Sequence, residues 1–202
     1  MTSPARGALL CGRARNAATA GAIMAGLLLT CPLWGRVALW IRPPLAARDV
    51  FVPLTFAVPI VLAAAVALVT RSEHRDLETA PPRPLRLWST GWAFVLSVAA
   101  AGCLAAGALA GLGQEWLGQG GRTFFFLAGA ALGVGRVLGQ MAALSTPLVA
   151  FMVMLYAAGG HPRDFRPWWL VPLRPAEDPG SWAFALAVYA AGLLLSAVPL
   201  RR

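Results

Sequence analysis

The chain has 202 residues, of which 58% are hydrophobic and only 12% charged, and its formal net charge is +9. Soluble domains run nearer half apolar and a quarter charged, so this composition excludes the solvated surface of a water-soluble enzyme and points to a membrane protein. All of the positive charge is arginine. Without lysine the chain has no GxxxxGK[ST] phosphate loop, no Schiff-base amine and no lysine general base.

In chain order, the uncharged runs long enough to matter are 17–33, 50–70 and 87–112. A helix needs about 20 mostly apolar residues to cross about 30 Å of hydrocarbon. The next run, 123–159, carries a single charge, Arg136, and is too long for one crossing, so it divides near Arg136 to Gln140 into 123–137 and 141–159. The last run is 181–200. The reading is an all-α, polytopic transmembrane helical bundle of about six spans in one domain covering 1–202, with a five-span alternative in which 123–137 is re-entrant.

Tryptophans mark the same ends, because an indole favours the headgroup level, where its body is buried and its N–H stays wet. Trp34 and Trp40 follow the first span, Trp88 and Trp92 open the third, Trp116 follows it, Trp168 and Trp169 precede the last, and Trp182 opens it. With the N-terminus inside, ten arginines (6, 13, 15, 71, 75, 83, 86, 136, 201, 202) lie on the cytoplasmic side and seven (36, 42, 48, 122, 163, 166, 174) outside. That bias places both termini in the cytoplasm of a bacterial inner membrane, the host being a high-GC organism by composition. Arginines before a short apolar stretch ending Leu28-Leu29-Thr30-Cys31 suggest a lipoprotein cleavage site, but the leucine and threonine before Cys31 fit it poorly and more spans follow, so the first span reads as an uncleaved signal anchor. Cys11, Cys31 and Cys103 have no CxxC partner and are odd in number, which implies free thiols and no disulfide framework.

Small residues at Ala22/Gly26, Gly107/Gly111, Gly129/Gly133 and Gly135/Gly139 offer faces for close helix packing in lipid. Pro59 lies deep enough in the second run to kink it. Ionisable groups at membrane depth are costly and so mark candidate function. Arg136, beside Gln140, either faces a substrate cavity or sits in a tight cytoplasmic turn and reaches phosphates. Glu115, at the outer end of the third run, either gates a pathway or is solvated. Catalytic constellations such as HExxH, GxSxG or a close carboxylate pair are missing, and His74 and His161 lie in charged loops, so neither an enzyme nor a metal site is expected. The scattered arginines do not form a nucleic-acid patch.

The most informative polar segment joins the second and third runs: Arg71, Glu73, His74, Arg75, Asp76, Leu77, Glu78 and Thr79, then prolines, then Arg83-Pro84-Leu85-Arg86. Residues 73–79 can form about two turns of surface helix that the prolines stop. Such a helix either docks a soluble partner or is an ordinary solvated loop. Together with Gly121-Arg122-Thr123 before a glycine-rich run, and Trp168-Trp169, Pro172-Leu173, Pro175, Asp178-Pro179 and Ser181-Trp182 before the last run, this segment resembles the permease subunits of ABC transporters of the type-two exporter class, especially small integral membrane proteins of high-GC Gram-positive bacteria.

The resemblance implies a permease that forms half of a translocation pathway. Residues Glu73, Asp76, Leu77, Glu78 and Thr79 would form the coupling contact to a separate ATPase. It also implies a second permease chain in the same membrane, with ATP and Mg held by the ATPase and no cofactor in this chain. Under the same resemblance Arg136, Gln140 and Glu115 are candidate pathway residues. The alternative is a non-transporting multi-span interaction protein that serves assembly, immunity or sensing.

Overall fold

The structure, a computed structural model, describes residues 17–34, 38–41, 50–53, 57–69, 85–160, 171 and 174–198. Six helices carry the fold: α1 (Ala17–Trp34), α2 (Ala57–Val69), α3 (Leu85–Gly107), α4 (Gln114–Leu138), α5 (Gln140–Gly160) and α6 (Pro179–Ala197). Between α1 and α2, β1 (Ala38–Ile41) and β2 (Val50–Pro53) pair antiparallel, with Ala38 opposite Pro53 and Ile41 opposite Val50. The bundle is all-α apart from this hairpin.

Two of the expected helix starts move. The run at 50–70 is not one helix. Val-Phe-Val-Pro, rich in β-branched and aromatic side chains, pairs as β2, and the helix begins only at Ala57. Pro59 is therefore the third residue of α2 and kinks nothing, since its missing N–H would have had no partner in the first turn. The interior proline is Pro147 in α5, where the N–H toward Ala143 is lost. The fourth helix starts at Gln114 rather than 123, so Glu115, Trp116 and Arg122 belong to it and not to a loop.

Gly113 and Gly139 bracket α4 at φ 87° and 92°, values that L side chains rarely adopt, and so set both ends of a continuous 25-residue helix. Before Gly113, α3 ends in a π-helical turn, Ala108–Leu112, which is broken at Gly111 with φ 109°.

The long helix α4 is the hub and packs against α2, α3, α5 and α6. Phe124, Leu127 and Ala128 of α4 meet Leu62 and Val66 of α2, Leu104 of α3 and Met24 of α1 in one core. On α6 the register runs parallel. Gly121 lies at Trp182, Gly129 at Tyr189 and Gly192, and Gly133 at Leu195. The α3 helix runs the other way against α6, with Thr90 Oγ1 3.3 Å from Ser196 Oγ.

The described bundle is apolar outside as well as inside. Phe94, Val95, Val98, Leu148, Val149, Val153 and Leu194 are each more than half exposed, while Arg122 is 0% exposed. Contiguous outward apolar faces of this kind suit hydrocarbon as solvent. Three helices, Thr90–Leu112, Gln114–Leu138 and Pro179–Ala197, are long and apolar enough to cross a membrane. The Ala22/Gly26 face is open among the described residues: Ala22 is exposed and nothing lies within 4 Å of a Cβ placed at Gly26.

Candidate functional site

The polar centre of the described structure is Arg122, two turns into α4. Its Nη1 donates to the Pro175 carbonyl and to Ser181 Oγ, each at 2.6 Å, and its Nη2 donates to the Arg174 carbonyl at 2.6 Å. Its Nε has no hydrogen-bond partner among the described residues. The guanidinium fork suits this task because its donors leave in fixed directions toward acceptors on the polypeptide preceding α6.

That stretch is built to receive it. Asp178 caps α6, accepting from the Gly180 N–H at 3.3 Å, and Pro179 follows at the first helical position. Ser181 Oγ, which accepts from Arg122, donates onward to the Asp178 carbonyl at 2.9 Å. The Trp182 indole N–H donates to the Ala176 carbonyl at 2.9 Å, and Arg174 and Asp178 form an ion pair at 3.4 Å. A carboxylate at the helix start also offsets the positive dipole end that a nearby guanidinium would otherwise worsen.

Beside this anchor, α3, α4 and α6 leave an open cleft of about 420 Å³ walled by Leu104, Leu117, Gly118, Gly121, Phe125 and Trp182. Gln114 supplies the polar group of the wall. The Phe125 and Trp182 ring centroids are 6.4 Å apart. Volume and lining both fall in the range of small-ligand sites, mostly apolar with a few polar groups. The cleft exists because glycine at 118 and 121 leaves room: an added Cβ at Gly121 would come within 3.2 Å of the Trp182 ring.

The residues singled out in sequence are not gathered into one site. Arg136 lies in the last turn of α4, where its Nη2 donates to the Val198 carbonyl at 2.9 Å and so ties together the C-terminal ends of two parallel helices. Gln140 opens α5 across the Gly139 turn from it, with its amide nitrogen buried and without a hydrogen-bond partner among the described residues. Glu115 is exposed in the first turn of α4. Twenty-one residues of helix separate it from Arg136, about 31 Å. Glu73, Asp76, Leu77, Glu78 and Thr79 lie outside the described residues. No group of three or more His, Cys, Asp or Glu side chains among the described residues could hold a metal.

Sequence reasoning placed Arg122 in an outer loop and missed both the anchor and the cleft. The signal was present in the wall positions 114, 117, 118, 121 and 125, which recur at helical spacing from Gly113 onward and put the helix start before Glu115. Compared with protein-family models, with curated proteins and with solved structures, the chain matches none.

Proposed function

We propose that the chain is a permease-like membrane subunit of an ATP-driven exporter, working as a multi-pass bundle in a bacterial inner membrane with both termini in the cytoplasm. The observation that carries the reading is an apolar exterior around helices α4 and α6 that cross in direct contact. At the crossing of α4 and α6, a Cβ on Gly129 would come within 2.5 Å of the Tyr189 backbone, so the two helices touch main chain to main chain and leave no passage there. A membrane-embedded bundle closed in this way transports only by forming a pathway with a second chain, which is what half of a transporter does.

Six apolar helices and the acidic 73–79 segment support the same reading, with ATP and Mg belonging to the partner ATPase. The second reading, a non-transporting interaction protein, is favoured by a different observation. Among the described residues Ser97, Arg122, Thr123 and Ser181 are buried and each donates to an internal acceptor, as in a packed core rather than a polar passage.

Co-purification separates the two. The tagged chain, extracted from its native membrane in mild detergent, should bring down an ABC ATPase and a second permease chain. Neutralising Glu73, Asp76 and Glu78 together, or raising the salt, should weaken ATPase recovery, since exposed charges are screened beyond about 8 Å at physiological ionic strength. Recovery of the chain without any ATPase sinks the exporter reading in favour of the interaction protein.

A further inference from the structure

In a chain whose formal net charge is +9, every described residue that lines the cleft between α3, α4 and α6 is uncharged. Apart from the Trp182 indole, Gln114 is the one polar residue of the lining. The two aromatic side chains of the wall are held in place. The Trp182 N–H is fixed on the Ala176 carbonyl at 2.9 Å, and Phe125 packs edge-on against Phe124 and Tyr189, each at a ring-centroid separation of 5.2 Å. Gly118 and Gly121 add bare backbone to the same wall.

A lipid tail is as apolar as leucine, so in hydrocarbon Leu104 and Leu117 give no preference for one apolar guest over another. A flexible acyl chain ordered in the cleft would also lose rotational freedom. A charged guest would find no partner of opposite charge in this lining and would leave its charge unpaired against apolar walls. What the lining offers beyond hydrocarbon is a pair of fixed rings, and ring–ring contacts gain free energy beyond the area they bury. We propose that the cleft binds an uncharged, rigid aromatic molecule, with its rings against Phe125 and Trp182. The proposal goes beyond the exporter reading and shares only the bilayer with it, because binding needs neither an ATPase nor a second chain.

The test uses the full chain in phosphatidylcholine nanodiscs, with empty nanodiscs as the partition baseline. The probes are naphthol, its fully hydrogenated counterpart decalol, and naphthalenesulfonate, which keeps the rings and adds a charge. Naphthol should bind saturably above the baseline, and each of the other two about tenfold more weakly. Photolysis of azidonaphthalene with the wild-type chain should label the peptides that carry Ala101 to Leu104, Gln114 to Phe125 and Trp182, as mapped by mass spectrometry, and excess naphthol should suppress the labelling. Ala101→Trp, which places an indole in the lining, should abolish saturable binding. Should that variant fail to fold, the photolabel locates the site without it. Equal affinity for naphthol and decalol, tighter binding of the sulfonate, labelling that naphthol does not suppress, wild-type binding in a folded Ala101→Trp chain, or no binding above the empty nanodiscs overturns the proposal. ATPase co-purification is unaffected by any of these results, so failure here and failure of the exporter reading are told apart.

Discussion

At the residue scale, the decisive group is a cation that the sequence shows but does not place. Arg122 holds three acceptors, of which Ser181 is buried, and removing one side of a buried polar contact leaves the other side unsatisfied. Arg122→Ala should therefore destabilise the purified protein by about 3 kcal/mol, read as a clear fall in thermal midpoint in detergent. Arg122→Lys should fall between the two, because an ammonium on a single stem cannot span Arg174, Pro175 and Ser181 as the fork does. A midpoint unchanged in Arg122→Ala would show that the stretch before α6 is held by something else. Arg136 attracted attention as the one charge inside a long apolar run, but its partner is the C-terminal carbonyl of α6, which no spacing in the sequence announces. An arginine's depth can be estimated from its neighbours; its acceptors, 52 to 62 residues away along the chain, belong to the tertiary structure.

At the element scale, the two members of one glycine pair, alike in sequence, behave differently. Gly129 meets the Tyr189 backbone, and a Cβ on Gly192 would run into the Gly129 carbonyl oxygen, so the α4–α6 crossing needs glycine on both sides. Gly133, one turn on, has only the tip of Leu195 at 3.8 Å. Gly129→Ala should cost about 1–3 kcal/mol through overpacking, whereas Gly133→Ala should be neutral or stabilising by up to about 1 kcal/mol, since alanine is the better helix former. Equal thermal shifts in the two variants would contradict the crossing. The small-xxx-small spacing names both glycines, but only the crossing geometry says which one touches main chain. Pro59 and Pro147 teach the same lesson: both lie in apolar runs, and the position of the helix start decides which of them interrupts hydrogen bonding.

At the scale of the whole molecule, the parallel register of α4 and α6 puts the starts of both helices at one end of the bundle and Arg136 with Val198 at the other. Single cysteines in a cysteine-free background, probed with an impermeant maleimide on intact cells, should therefore label 161–177 from outside and leave 71–86 and both termini protected. Termini found on opposite sides would replace six crossings with an odd number. From the sequence alone the all-α architecture and the apolar, span-length character of the helices were legible, because length and apolar content are written directly into composition. The sequence could not say that 50–53 would pair as a strand, that Arg122 would be clamped onto the turn before α6, or that an apolar cleft would open beside it. Those features depend on which faces meet, and in a chain this rich in alanine, glycine and leucine nearly every face could meet another. Only the tertiary contacts, through glycines that admit close approach and a buried cation that must find acceptors, select one arrangement.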